Sequence, residues 1–265
     1  MKIKMFWYVI KSSVGNTLLF RGSFLLKILT ILLSEIFSVI SMLIILTRFQ
    51  GYGDMTSGQF LFLYFFSHLS YSLCILVFNN LRALGFYIQG GFFDKMLLMP
   101  VNTMAYLCCY NFDFSIIGQV ITSLILFSYF DRSYGIVWNF GSVLFIIMML
   151  ISSILILASI LIVLSSVAYY IIDWKPLDNM FGAFREMLWY PMSIYNEAVR
   201  IILYSLVPIA YIAFVPVELI YLFSKDLTFG MGMMIAFGVM LCAGLLFYGA
   251  YKLWFYQSKK YQSVG

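Results

Sequence analysis

Charge is what this chain has least of. Only 10% of its 265 residues are Asp, Glu, Lys or Arg, against about 25% in soluble domains. It has one histidine, His68, and one histidine alone builds neither a metal site nor a catalytic triad. No HExxH, no GxSxG and no group of acids at metal-ligand spacing occurs, so no hydrolytic or metal-dependent chemistry is legible. No GxxxxGK[ST] loop is present either, so the chain cannot cradle ATP phosphates by itself. The four cysteines, Cys74, Cys108, Cys109 and Cys242, sit in apolar surroundings without a CxxC pair. Two are neighbours, a poor arrangement for a structural disulfide, and all four read as small apolar fillers. The net charge of +5 is spread over the ends of apolar runs. That distribution speaks of membrane orientation and gives no dense basic patch for nucleic acid.

What is abundant is apolar surface. Hydrophobic residues make up 63% of the chain and its mean hydropathy is +0.98. No soluble fold of this length has enough interior to hide so many Phe, Leu, Ile and Met side chains, so the chain is an integral membrane protein. The apolar runs are long and unbroken, whereas barrel strands read as alternating segments of about ten residues. Helices also satisfy their own backbone hydrogen bonds in lipid. The fold class is therefore all-α, in a single transmembrane domain over 1–265.

Residues 1–20 interleave Ile3, Phe6, Trp7, Ile10 and Val14 with Lys2, Lys4 and Lys11. That spacing predicts an interfacial helix lying on the membrane rather than a signal peptide with a cleavage site. Six spans follow, at 24–46, 60–79, 111–130, 143–172, 198–215 and 228–256. Glu35 lies deep in the first, and an acid at membrane depth is a functional candidate by default. The plainer reading is a glutamate facing a partner helix or a wet cavity. His68 in the second span has the same two readings: a hydrogen-bonded interior histidine, or a proton-sensitive group. Five serines in the fourth span (Ser152, Ser153, Ser159, Ser165, Ser166) suit close helix packing, or else line a polar passage. Pro208 kinks the fifth span. The stretch Pro216-Val217-Glu218-Leu219-Ile220-Tyr221 is too short to span and too apolar for a plain loop, so it reads as a short external re-entrant segment. In the last span Gly232 and Ala236, and likewise Gly238 and Cys242, sit four apart and predict a flat packing face.

Lys and Arg counts orient the chain. Twelve of the 16 fall on the side that holds both termini, the 81–102 loop and the Trp174–Arg200 polar island. Three fall on the other side, and Lys27 lies within a span. The positive-inside rule puts the twelve, and both termini, in the cytosol.

The 81–102 loop is more structured than a connection requires. It carries Gly90-Gly91, then an apolar-rich segment with Asp94 and Lys95, then Pro100 as a stop. A structured cytosolic helix between two spans, in a chain without an ATP site, points to a separate ATPase. Few intramembrane charges argue against an ion gradient as the energy source.

Two stretches carry a family resemblance. Gly91-Phe92-Phe93-Asp94-Lys95-Met96-Leu97-Leu98-Met99-Pro100-Val101 resembles the G-x-x-D-x-x-L-L-x-P-V segment of the membrane subunits of ABC-2-type exporters. Tyr190-Pro191-Met192-Ser193-Ile194-Tyr195, followed by Pro208, Ala210 and Pro216, is similar to the Y-P-x-x-I-Y…P-x-A…P pattern of a bacterial subgroup. The resemblance covers essentially the whole chain. It implies a non-catalytic permease in the bacterial cytoplasmic membrane, paired with a second permease subunit and docked to a nucleotide-binding ATPase that holds ATP and Mg. On that footing Asp94, Lys95, Leu97 and Leu98 of a coupling helix insert into a cleft on the ATPase, with Gly91 at the bend and Pro100 at the stop. Glu35, Pro208 and Pro216 become pathway or gating candidates. The implied cargo is an amphipathic drug, an antimicrobial peptide or a lipid-like molecule. Two other readings stand beside it: a gradient-driven carrier using Glu35 and His68, and a membrane-embedded lipid enzyme, for which the sequence offers no nucleophile-base pair.

Overall fold

A computed structural model describes residues 8–9, 11–13, 15, 21–48, 55–136, 138–171, 174–225 and 229–262. Most of the expected 1–20 interfacial helix lies outside the described residues, as do Asp54, Asp173 and Asp226. Tyr8, Val9, Lys11 to Ser13 and Gly15 are helical. There Ser13 Oγ donates to the Val9 carbonyl at 3.1 Å and accepts from Phe112 N at 3.2 Å.

Every extended element among the described residues is a helix. Among these residues four helices are long and apolar enough to cross a membrane: Arg21–Leu46, Ser57–Gln89, Phe140–Val167 and Phe229–Lys260. We number the helices α1 (Arg21–Arg48), α2 (Ser57–Arg82), α3 (Leu84–Gln89), α4 (Phe92–Leu97), α5 (Thr103–Cys109) and α6 (Ser115–Tyr129). After them come α7 (Phe140–Val167), α8 (Lys175–Met187), α9 (Glu197–Ser205), α10 (Phe214–Lys225) and α11 (Phe229–Lys260).

Helix α2 is the axis of the fold. A capping box starts it, with Gln59 N donating to Thr56 Oγ1 at 3.4 Å and Thr56 N donating to Gln59 Oε1 at 2.8 Å. Every residue from Phe60 to Ser72 is buried, which an all-round apolar helix achieves only when neighbours enclose it. At its first turns Phe62 meets Phe66, Phe127 and Tyr134 at ring separations of 5.8, 5.4 and 5.0 Å. Helix α1 is the opposite case. Over 21–46 its fully buried residues are Glu35, Val39 and Met42, one narrow stripe at i, i+4 and i+7 flanked by the partly buried Leu43 and Leu46, and most of its other apolar side chains are exposed.

Helices α7 and α11 pack along each other. On α11 the buried positions are Gly232, Ala236, Ala243, Ala250 and Trp254; the first four are small and let a neighbouring element approach closely. Gly232 lies against Phe223 of α10, whereas Gly238 and Cys242 are exposed. The α7 serines act as packing residues. Each hydroxyl returns to its own backbone, Ser152 to Met148 O at 2.9 Å and Ser153 to Met149 O at 2.8 Å. Ser159, Ser165 and Ser166 do the same over 2.6 to 2.9 Å. Each donor is thereby satisfied within its own helix, and Ser159 also lines a cavity of about 790 Å³.

Three regions depart from the sequence reading. The 111–130 segment is not one helix from its first residue. Asn111 has a positive φ of 49° and breaks the chain between α5 and α6, and Asn80 Nδ2 donates to the Cys108 carbonyl at 3.3 Å and to that of Tyr110. At 15 residues, α6 is about 22 Å long, shorter than the hydrocarbon core. The continuous 198–215 helix is also absent. Helix α9 ends at Ser205, the chain breaks at Leu206–Pro208, and α10 begins at Phe214 with Pro216 buried in its first turn, where a proline costs no helical hydrogen bond.

The third departure matters most. The Trp174–Arg200 island, expected as a polar cytosolic segment, begins as a helix that runs antiparallel along α2. Arg82 Nε is 2.6 Å from Asp178 Oδ1, Tyr71 and Phe181 rings lie 6.0 Å apart, and Trp189 reaches His68 and Tyr64 at 5.3 and 5.9 Å. The chain then turns at Tyr190–Asn196 and doubles back, because Pro208 and Met180 line one cavity. Charged residues at the α2–α8 contact meet a partner or an aromatic ring: Asp178 pairs with Arg82, Arg82 sits over Phe181, and Arg185 over Tyr71 and Trp189.

Candidate functional site

Two sites take shape. The first is α4. Gly90 and Gly91 separate it from α3, and Gly91 has φ +67°, a left-handed conformation that favours glycine. Six residues of helix follow, and Met99, Pro100 and Val101 end it. Its inward face is Phe93 and Met96, both buried. Phe93 packs edge-on among Tyr169, Trp254 and Tyr261 at 5.5, 6.5 and 5.3 Å. Those three residues lie after α7, near the end of α11 and in the tail beyond it, so α4 is seated on the ends of both long helices. Asn102 adds a polar tie, donating through Nδ2 to Tyr251 Oη at 2.7 Å.

The outward face carries the other residues. Leu98 is 85% exposed, and Leu97, Met99 and Phe92 lie between 37% and 40%. Lys95 is exposed, with its Nζ 5.5 Å from the Phe92 ring centroid. Asp94 is half-buried in the first turn, where a carboxylate complements the helix dipole. The structure thus brings together Gly91, Asp94, Lys95, Leu97, Leu98 and Pro100 as one protruding tip with an apolar crown.

The second site joins two residues that the sequence presents separately. Glu35 is 6% exposed and its Oε2 lies 3.2 Å from His68 Nδ1. Gln119 Nε2 donates to the other oxygen, Oε1, at 3.3 Å. The pair borders a cavity of about 230 Å³. Helix α1 supplies Thr30, Ser34 and Ser38 to it, α2 supplies Tyr71, and α8 with its following turn supplies Arg185 and Trp189. The His68 and Trp189 rings stack at 5.3 Å and 14°. Sequence reasoning missed Gln119, Arg185 and Trp189. Gln119 was a visible signal, an amide inside an apolar run; the other two depend on α8 entering the bundle.

The remaining candidates lie elsewhere. Pro208 lines a larger apolar cavity of about 790 Å³ with Leu206, Val207 and Phe184. Pro216 lies buried in α10, apart from both sites.

Comparison with curated proteins and with solved structures gave no match. Comparison with protein families gave one, to the ABC-2 family transporter protein, over residues 25–265. The match takes in every helix from α2 to α11 and nearly all of α1, together with both sites, and it supports a permease role in a multi-pass membrane protein. The chain belongs to the ABC-2 family of transporter membrane proteins.

Proposed function

We propose that this chain is the permease half of an ATP-driven exporter. It crosses the bacterial cytoplasmic membrane six times, through α1, α2, α5–α6, α7, the broken α8–α10 segment and α11, with both termini cytosolic. A nucleotide-binding ATPase docks on α4, a second permease subunit completes the pathway, and the cargo is an amphipathic drug, peptide or lipid-like molecule. The chain performs no catalysis of its own; ATP and Mg are held by the ATPase.

The observation that carries this reading is the two-faced character of α4. A six-residue helix that only joined two spans would have no reason to bury Phe93 at 0% and expose Leu98 at 85%. Such a helix fits a groove on a partner and transmits the partner's motion through Phe93 to the ends of α7 and α11.

Co-expression with an ATPase encoded in the same operon, followed by affinity purification in mild detergent, tests it. The expected result is that the double variant Leu97→Glu, Leu98→Glu inserts and melts like wild type but loses the ATPase. Full co-purification and ATP-driven transport by that variant would overturn the reading.

The Glu35–His68 pair favours a second reading, a carrier driven by a proton gradient. In proteoliposomes without ATPase, an imposed pH gradient then drives transport that Glu35→Gln abolishes. Absence of gradient-driven transport by the wild type removes this reading.

A further inference from the structure

Among the described residues Arg185 is a half-buried guanidinium without an ion-pair partner. Its guanidinium carbon lies 5.3 Å from the Tyr71 ring centroid and 5.4 Å from that of Trp189, so two aromatic rings fix where it sits. Its Nε is buried and has no hydrogen-bond partner. Among the described residues it forms no ion pair, whereas Arg82, two turns back along the same contact, has Asp178 at 2.6 Å and Glu35 has His68 at 3.2 Å. A guanidinium at this depth without a counter-ion is costly. The nearest acid in the cavity is already engaged through both oxygens, by His68 and by Gln119.

A second polar atom in the same cavity lacks a partner. Both ring nitrogens of His68 are buried without a hydrogen bond, Nδ1 lying 3.2 Å from Glu35 Oε2 and Nε2 on the opposite edge of the ring. His68 and Arg185 both abut Trp189, so the two open polar groups converge on one aromatic wall. Ser38 and Trp189 also line an adjoining cavity of about 250 Å³ whose other walls include Phe37, Met42, Ile45 and Phe60. A polar chamber with a free cation therefore opens, across Ser38 and Trp189, beside an apolar one. Ligand sites of this size are mostly apolar with a few placed polar groups.

We infer that these paired chambers bind an amphiphile with a single oxyanion head, a phosphate monoester or a carboxylate. Arg185 is the charge partner of the head, His68 Nε2 a second polar contact, and the chamber between Phe37 and Phe60 takes the start of the tail. Guanidinium recognises such planar or tetrahedral oxyanions better than ammonium does, because its donors form a fixed fork. The inference narrows the cargo class of the permease reading, yet it stands on binding alone and is tested without any ATPase. A failure of docking on α4 would leave it untouched.

The probe is radiolabelled dodecyl phosphate, added to the purified chain in phosphatidylcholine nanodiscs, with empty nanodiscs as the partition background. The expected result is a saturable, protein-dependent component that unlabelled dodecyl phosphate displaces and dodecyltrimethylammonium does not. Arg185→Gln is expected to weaken it about tenfold or more, with Arg185→Lys intermediate and the melting temperature of each variant reported alongside. Equal displacement by the cationic amphiphile, which needs no variant at all, overturns the inference, as does unchanged affinity in folded Arg185→Gln. Nanodiscs containing phosphatidylglycerol then separate two sources of the same chemistry. Loss of probe binding there marks a bilayer lipid as an occupant, and retained binding marks a soluble amphiphile; either result supports an oxyanion site at Arg185.

Discussion

Gly85 lies directly against Trp174: a methyl group added at Gly85 would fall 2.3 Å from Trp174 Cβ and 2.6 Å from its Cγ. The contact joins the start of α3 to the residue that precedes α8, so the α3–α4 arm and the helix carrying Arg185 share one joint. Trp174 meets the glycine with its Cβ, the atom nearest its backbone, and cannot swing away. Gly85→Ala is therefore expected to lower stability by about 1–3 kcal/mol, the usual range for overpacking, read as a fall in melting temperature in detergent. Trp174→Gly in the same chain, which removes the Cβ and the ring together, is expected to recover most of that overpacking loss, since the two residues act as one contact. Additive losses in the double variant would show that the strain lies elsewhere.

Phe93 on α4 and Leu98, the residue that caps its end, have opposite environments, fully buried and 85% exposed. Phe93→Ala opens a hole among Tyr169, Trp254 and Tyr261, at a cost of about 3–5 kcal/mol. Leu98→Ala removes nothing from the interior and is expected to change stability by less than about 0.5 kcal/mol. In the assembled transporter the order reverses for partner binding: Leu98→Ala weakens ATPase association, while Phe93→Ala leaves association intact and reduces transport per ATP hydrolysed. Melting curves, co-purification and coupled transport assays separate the two roles. A single defect common to both variants would contradict the two-faced account of α4.

The parts of this architecture legible in the sequence are those set by local pattern. Long apolar runs announce α1, α2, α7 and α11, because length and hydropathy alone decide whether a helix can cross. Gly90-Gly91 and Pro100 bound α4 for backbone reasons that act within a few residues. What stayed hidden was set by contacts far apart in the chain. The α8 segment reads as a polar cytosolic island because Asp178 and Arg185 look solvated. Their partners, Arg82 for the first and the Tyr71 and Trp189 rings for the second, appear only once α8 lies along α2. The union of Glu35 with His68 is hidden for the same reason, since it needs α1 and α2 placed side by side. Each alone looked like an isolated polar residue in an apolar helix.

Asp113, in the turn before α6, receives hydrogen bonds from Lys27 Nζ and from Ser115, through Oγ at 2.6 Å and N at 3.1 Å. Lys27 is 55% exposed, so the pair is worth at most about 1 kcal/mol. Asp113→Asn keeps an acceptor for Ser115 but removes the charge opposite Lys27, and is expected to melt slightly below wild type at low salt, with the gap shrinking as salt screens the pair. A gap that grows with added salt would refute the assignment.

Gly232 and Gly238 share α11 and make a paired test of the α10–α11 contact. A methyl group at Gly232 would lie 2.1 Å from Phe223 Cδ2, whereas one at Gly238 meets nothing within 4 Å. The Phe223 ring cannot yield easily, because Phe145 of α7 stacks on it at 4.6 Å and 4°. Gly232→Ala must therefore move α10, Phe145 or α11 itself, at a cost of about 1–3 kcal/mol. Gly238→Ala instead gains the helix propensity of alanine over glycine, about 0.5–1 kcal/mol. The two substitutions are chemically identical and six residues apart, so shared effects of detergent or expression cancel in the comparison. Melting temperatures are expected to move in opposite directions, down for Gly232→Ala and level or up for Gly238→Ala. Equal shifts would mean that Phe223 does not close on α11 at Gly232, and that the end of the bundle holding α10 is packed differently.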